Sequence, residues 1–129
     1  MYIEKTLPDK AVKFGARMIK LHQSLMKEHN EPVVSEQIIE DTMCIGIFIH
    51  EAQLRSHSEE VASILKSALD RAAAAEYWIS LLFTSGYIGK VLLQSLTEDC
   101  KEIQQLIQNC IFAAEADETS LPVKLNKGN

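Results

Sequence analysis

The sequence predicts an all-α fold, an antiparallel four-helix bundle with up-down-up-down connections, and three observations support this. The chain of 129 residues is 47% apolar and 24% charged, the balance of one ordinary globular domain. It contains only five Gly and three Pro, too few for the many tight turns of a β-sandwich or barrel. Apolar residues recur at steps of three and four, the spacing of helices that bury one face.

The first predicted helix starts after Pro8, with Asp9 as its N-cap, and ends near His29 and Asn30. The apolar stripe that should face the core is widened by Val12 and Ile19, and its centre is Ala11, Phe14, Met18, Leu21 and Leu25. A basic edge lies on the opposite side and consists of Lys10, Lys13, Arg17 and Lys20.

The second predicted helix begins with Pro32 in its first turn and runs to about Leu54. Its core face is expected to carry Ile38, Thr42, Ile45, Ile49 and Ala52. The rest of this helix is also apolar, so it has more apolar surface than one bundle can bury. The surplus predicts an oligomer interface formed by Ile39, Met43, Ile47 and Phe48.

The third predicted helix opens with Ser56 and Glu59 at the spacing of a capping box and stops at Gly86. A fourth helix follows, and its apolar period fails from about Ala116. These limits divide the chain into a four-helix bundle domain, residues 1–115, and a flexible C-terminal tail, residues 116–129. Because the connections are short, neighbouring helices should run antiparallel.

Residues that could carry catalysis or bind a metal lack the necessary spacing. The four histidines form two pairs seven residues apart, two helical turns or roughly 10 Å, too far for one ion. Cys44, Cys100 and Cys110 are odd in number and widely spaced, which indicates reduced, buried thiols. There is no Gly-x-Ser-x-Gly elbow and no glycine-rich phosphate loop. The sequence therefore predicts no catalytic residue, metal ion or cofactor.

Two kinds of carboxylate are expected in the helices. Glu76 lies within the apolar arc of the third helix, and a buried carboxylate needs a partner. A structural hydrogen bond to a neighbouring helix is the simpler explanation, and contact with a ligand is the alternative. Adjacent acids such as Glu40 and Asp41 point about 100° apart on a helix and are expected at the surface.

The net charge of −5 argues against nucleic-acid binding by the surface as a whole, because phosphate recognition depends mainly on Lys and Arg. The basic edge of the first helix remains a local candidate for such binding, and ordinary solubility is the alternative explanation of its charges. The chain has no signal-peptide pattern and no run approaching the roughly 20 apolar residues of a membrane helix. A cytoplasmic location is the expectation.

The second and third helices resemble a known family, the bacterial four helix bundle proteins once called 23S rRNA-intervening-sequence proteins. The resemblance extends from about Lys10 to Ala114. It is carried by the order and spacing of Ser35-x-Gln37-Ile38, Ile45-Gly46, Ile49-x-Glu51-Ala52, Ala68-Leu69, Ala72 and Glu76-Tyr77-Trp78. The chain departs from the usual family pattern at Glu40, where Arg is common, and at Phe48, where Asn is common.

The resemblance implies a four-helix bundle that assembles into a homopentamer. A related branch, the accessory variability-determinant proteins of diversity-generating retroelements, binds reverse transcriptase and nucleic acid through a basic surface. The first hypothesis is therefore a non-enzymatic, homo-oligomeric scaffold or adaptor that binds a macromolecular partner. The alternative is a nucleic-acid-binding accessory protein, or a reverse-transcriptase partner, that uses the basic edge of the first helix.

Overall fold

The computed structural model describes residues 2–120, and the side chains of residues 2–117. Within this range there are four helices and no strand, so the predicted all-α class is confirmed. No helix in it is long and apolar enough to cross a membrane. The helices are α1 (Leu7–His29), α2 (Val33–Gln53), α3 (Ser58–Thr84) and α4 (Lys90–Ser120).

The four helices pack in cyclic order, α1 on α2, α2 on α3, α3 on α4 and α4 back on α1. Paired contacts give their directions. Along α1, Lys10 meets Glu102 and Arg17 meets Asp99, so α4 runs antiparallel to α1. Short connections at residues 30–32, 54–57 and 85–89 join consecutive helices. The predicted up-down-up-down bundle is therefore the observed one.

The core consists of one face of each helix, and it contains the predicted centre of the α1 stripe and the predicted core face of α2, where Thr42 is a buried polar residue. The largest side chains that are almost completely buried include Phe14 and Met18 on α1 and Leu65 and Ile79 on α3. Between Leu65 and Ile79, the inner face of α3 carries only the small side chains of Ala68, Ala72 and Ala75, which allows close packing of the neighbouring helices.

Two predicted helix starts are wrong. The N-cap of α1 is Thr6, and Asp9 lies within the first turn, because the fully buried Leu7 already belongs to the helix. The N-cap of α3 is His57, whose carbonyl accepts the bond from the backbone N–H of Val61. The capping box of Ser56 and Glu59 would need the helix to begin one residue earlier, so it does not form.

The ends of α2 and α3 are close to those predicted. Pro32 is the N-cap of α2, and the carboxylate of Glu31 accepts hydrogen bonds from the next three backbone N–H groups of the chain, which satisfies the helix start. Gly86 lies just beyond α3 with a φ of 86°, a left-handed conformation that glycine adopts without steric cost. Gly86 therefore ends α3, as the sequence predicts.

The last helix continues past the predicted limit at Ala116 and reaches Ser120. The hydroxyl of Tyr2 donates a hydrogen bond to Asp117, and the backbone N–H of Glu4 donates to Cys110. The N-terminal segment therefore contacts the C-terminal part of α4, both within the apolar period, at Cys110, and beyond it, at Asp117. The remainder of the predicted tail, residues 121–129, lies outside the described residues.

A candidate protein-interaction surface on α1 and α2

An open apolar groove of about 420 Å³ runs between α1 and α2 and is called the α1–α2 groove below. None of the residues that line it is Asp, Glu, Lys or Arg, and His50 is its only titratable side chain. The lining residues are Ala11, Val12, Gly15, Ile19, Ile39, Thr42, Met43, Gly46, Ile47 and His50.

Four large apolar side chains in this groove are more than half exposed. Val12 and Ile19 on α1 are 71% and 51% exposed, and Met43 and Ile47 on α2 are 59% and 56% exposed. A contiguous exposed apolar surface on a folded subunit marks a place where another molecule binds. The surface on these two helices is therefore the strongest candidate site.

The predicted interface residues divide into two groups. Met43 and Ile47 lie exposed in the groove, and Ile39 lines it while packing partly against the core. Phe48 is half-buried, packs against the core and does not line the groove, so its proposed interface role finds no support in its position. Val12 and Ile19 complete the surface, although the sequence pattern assigned them to the core stripe of α1.

Two glycines line the α1–α2 groove. A Cβ at Gly46 would meet nothing within 4 Å, and one at Gly15 would meet only Cγ2 of Thr42 at 3.7 Å, an ordinary contact. Neither glycine has a positive φ, so the subunit fold requires glycine at neither position. Glycine inside a helix costs roughly 0.5–1 kcal/mol relative to alanine. Because neither glycine has a side chain, the groove is deeper than it would be with any other residue at these two positions.

A smaller groove of about 270 Å³ adjoins the first along the outer face of α2. It shares Ile39, Met43 and Ile47 with the α1–α2 groove. Its remaining lining residues are polar or acidic and include His22, Glu36, Glu40 and Cys44. The apolar surface is therefore bordered by acids on the α2 side.

The predicted basic edge of α1 faces acidic partners. Lys10 Nζ lies 3.0 Å from a carboxylate oxygen of Glu102, and Arg17 Nη1 lies 2.6 Å from one of Asp99, both on α4. Lys13 pairs with Asp9 on its own helix at 3.1 Å. Lys20, the fourth cation of the predicted edge, has no ion pair among residues 2–117. The four cations therefore do not form an isolated positive patch.

Glu76 has the partner on a neighbouring helix that the sequence predicts. Its side chain is 27% exposed, accepts a hydrogen bond of 2.7 Å from Nε2 of Gln104, and lies 3.4 Å from Nζ of Lys101. These groups belong to an open polar groove of about 590 Å³ between α3 and α4. Because the polar groups in it bond to one another, no ligand is needed to satisfy Glu76.

Asp41 is a buried carboxylate, so the predicted surface position of this residue is wrong. It is only 4% exposed and accepts hydrogen bonds from Nη1 of Arg71 at 2.9 Å and Nε1 of Trp78 at 2.8 Å. The hydrogen bond from Arg71 to Asp41 raises the pKa of Arg71. The sequence does contain a signal for this site: Arg71 and Trp78 are seven residues apart, so both donors lie on one face of α3.

The cysteines and histidines form no metal site within the described residues, where no group of three or more His, Cys, Asp or Glu could hold an ion. All three cysteines are free; Cys100 and Cys110 are buried as predicted, whereas Cys44 is half-buried. Burial raises the pKa of Cys100 to about 11 and also raises that of Cys110. These two buried thiols are therefore neutral at ordinary pH and poor nucleophiles.

Comparisons with known proteins agree with this fold. Residues 6–109 match the family described as 23S rRNA-intervening sequence protein. A solved protein of unknown function from the S23 ribosomal protein family of Bacteroides thetaiotaomicron is 32% identical, with a TM-score of 0.82 over 86% of this chain and 98% of that one. No curated protein matches. The chain therefore belongs to the 23S rRNA-intervening sequence protein family.

Proposed function

We propose that the protein is a non-enzymatic, homo-oligomeric helical scaffold that binds a macromolecular partner, and that its copies meet through the α1–α2 groove. The observation that carries this proposal is the uncharged apolar surface around Met43 and Ile47, which none of the residues described by the structure covers. The expected number of copies is five, because the resemblance of the sequence to its family implies a homopentamer.

The energy available from this surface supports an interface. Fully burying one large aliphatic side chain stabilises by about 1.5–3 kcal/mol. Covering four side chains that are each more than half exposed therefore contributes on the order of 3–6 kcal/mol before the costs of association. In an isolated subunit these side chains stay exposed, so this stabilisation is absent.

The glycines add a second line of support. A groove without side chains at Gly15 and Gly46 lets a neighbouring helix approach closely and gain dispersion contacts. Glycine lowers helix stability slightly at both positions, and no contact inside the subunit compensates for this, because a Cβ would clash at neither position. Close packing of a neighbouring copy would compensate for it.

Sedimentation analysis at micromolar concentration tests the proposal. We expect a mass several times the 14.5 kDa of one chain. Ile47→Glu should reduce the mass to that of one subunit without loss of helix content, because position 47 is exposed and the charge would be buried only in the assembly. Gln105→Glu, which introduces the same charge beside the α3–α4 groove, should leave the mass unchanged. A monomeric wild type, or an Ile47→Glu variant that assembles normally, would exclude the proposal.

The nucleic-acid alternative has less support, because Lys10 and Arg17 already pair with acids of α4. Its test is a titration with RNA and DNA at increasing salt. If the basic edge binds phosphates, affinity falls steeply with salt and is lost when Lys10, Lys13, Arg17 and Lys20 are all replaced by Ala. Affinity that is insensitive to both changes excludes this alternative.

A further inference from the structure

One side chain in the α1–α2 groove changes its charge near neutral pH. His50 lines this groove, where no other lining residue is titratable, and it is exposed in the subunit. In water an imidazole takes up a proton at about pH 6.5, whereas carboxylates do so at about pH 4 and amines at about pH 10. A moderate fall in pH therefore adds charge to the groove lining at this position alone.

The position of His50 along the bundle follows from two contacts between α1 and α2. His22 bonds to Ser35, and a Cβ at Gly15 would lie 3.7 Å from Cγ2 of Thr42. Continuing this antiparallel register by about two helical turns places His50 beside the first turn of α1. All residues that line the groove belong to α1 or α2, so α3 and α4 add no charged side chain to it.

Charged residues close to this end of the groove do not line it. Asp9 lies 3.1 Å from Lys13 of its own helix, and at about 100° per residue both point away from α2. Glu51 follows His50 in α2 and points about 100° away from it. The groove lining therefore holds no carboxylate that could pair with a protonated His50. The other charged residues near this end are Glu4, whose carboxylate accepts a hydrogen bond from Thr6, and the cations Lys5, Lys10 and Arg55.

We infer that the association of copies through the α1–α2 groove depends on pH and that protonation of His50 weakens it. The inference rests on the proposed function and adds a regulation of that same surface. A copy that covers the groove transfers the side chain of His50 from water to uncharged, apolar surroundings. A neutral imidazole tolerates this transfer far better than an unpaired imidazolium does, because removing a charge from water is strongly unfavourable.

Proton linkage gives the direction of the effect. The free subunit binds a proton at His50 more readily than the assembled one, so acid favours the free subunit. Association should be strongest above the range in which a free imidazole titrates, about pH 6.5, and should weaken progressively below it. If the charged form is fully excluded from the assembly, the dissociation constant rises about tenfold for each contact one pH unit below that midpoint.

Sedimentation of the full chain at fixed ionic strength, from about pH 7.5 to about pH 5.5, tests the inference. The dissociation constant of wild type should rise by up to about tenfold over this range. His50→Gln keeps a polar side chain that cannot become charged. Its dissociation constant should change by less than about twofold over the same range, whatever its value at the upper pH.

His57→Gln is the matched control. His57 is exposed in the connection 54–57 and lines neither groove, so this variant should keep the pH dependence of wild type. His22 lines the smaller groove, where Glu36 and Glu40 offer carboxylates to its charged form. A pH dependence that arises from His22 would persist in His50→Gln, and that result would overturn the inference.

A permanently charged variant tests the same point without a change of pH. His50→Lys should associate at about pH 7.5 as weakly as wild type does at about pH 5.5, and its affinity should not depend on pH in this range. Position 50 is exposed, so the subunit should keep its helix content. The helix content of Ile47→Glu should be equal at both pH values, which excludes acid unfolding as the cause of weaker association. A His50→Lys variant that associates like wild type at the upper pH would contradict the inference.

The outcomes separate this inference from the proposed function. If wild type is oligomeric and its dissociation constant does not depend on pH, the role of His50 is wrong and the scaffold proposal stands. The same holds if association strengthens as the pH falls, because the covering surface then supplies a carboxylate to His50. If wild type is monomeric at micromolar concentration at the upper pH, both are wrong. Weakening of wild type by acid, together with its absence in His50→Gln, is the result that the inference requires.

Discussion

The two flanks of α2 differ in how their chemistry is satisfied. On the flank that faces α3, the carboxylate of Asp41 is buried and receives hydrogen bonds from Arg71 and Trp78. On the outer flank, Met43 and Ile47 are more than half exposed, and the α1–α2 groove that they line contains no formal charge. On one side of α2 the polar group is fully hydrogen-bonded within the subunit, whereas on the other side the apolar side chains remain exposed.

Because of this difference, substitutions on the two flanks should affect different quantities, the stability of the subunit and the affinity between copies. Substitutions on the α3 flank should lower the free energy of unfolding of the subunit, because they break bonds that the fold itself makes. Substitutions of the exposed side chains on the outer flank should leave that free energy nearly unchanged and alter the affinity between copies. The variant Ile47→Glu, expected to be monomeric, provides the background in which the first quantity can be measured without a dependence on concentration.

The largest expected effect is on the α3 flank. Asp41→Ala should reduce the free energy of unfolding by about 2–4 kcal/mol, because it leaves the Trp78 N–H and the Arg71 guanidinium without their common acceptor. Urea denaturation in the Ile47→Glu background measures it. Glu40→Ala is the control: that acid is exposed and 3.9 Å from Arg71, so its removal should cost under about 1 kcal/mol. Equal losses in both variants would contradict the assignment of Asp41 as the buried acceptor.

Thiol labelling should show which part of α2 is covered in the assembly. Cys44 lines the smaller groove with Met43 and Ile47, so we expect about tenfold faster labelling in the Ile47→Glu variant than in assembled wild type. The introduced negative charge alone would slow the reaction, so an increase reports lost coverage. Cys100 and Cys110 are internal references, because burial raises the pKa of both thiols. Identical Cys44 rates would show that this part of α2 is open in the oligomer.

Gly46→Ala should change stability and association in opposite directions. In the Ile47→Glu background it should raise the free energy of unfolding by up to about 1 kcal/mol, since alanine favours helix and its Cβ meets nothing within 4 Å. In the otherwise wild-type chain it should weaken association, because the methyl group occupies the groove. Ser63→Ala, an exposed position on α3, should stabilise the helix without affecting association. A Gly46→Ala variant that associates as wild type does would show that the groove is not filled.

The smallest expected effect lies in the α3–α4 groove. Glu76→Gln should change the free energy of unfolding by less than about 1 kcal/mol, because the amide oxygen can still accept the bond from Gln104 and the contact with Lys101 is largely exposed. Sedimentation of this variant should match wild type. A lower mass would place the α3–α4 groove in the interface and would contradict the contrast between the two flanks of α2.

The helices could be predicted from the sequence because each carries a long apolar period. The apolar pattern also predicted that Met43 and Ile47 are surplus apolar surface on α2. It assigned Val12 and Ile19 to the core stripe of α1, because the pattern of one helix does not show which side its neighbours leave open. Position relative to α2 decides their exposure.

Asp41 was missed for a related reason. Next to Glu40 it looks like an ordinary surface acid, and only the packing of α3 brings Arg71 and Trp78 to it. The extension of α4 beyond Ala116 likewise accompanies the contact between Asp117 and Tyr2, residues 115 positions apart. Local patterns do not contain contacts of this range, whereas the predicted N-caps were wrong by only one residue for α3 and three for α1.

The hydrogen bond between Tyr2 and Asp117 has a consequence for the shape of any assembly of parallel copies. It places the start of the folded chain beside the last turn of α4, while the connections 30–32 and 85–89 lie at the opposite end of the bundle. Every copy would then present Tyr2, the connection 54–57 and the end of α4 on one rim, and the connections 30–32 and 85–89 on the other. The assembly would therefore have two chemically different faces for a partner to distinguish.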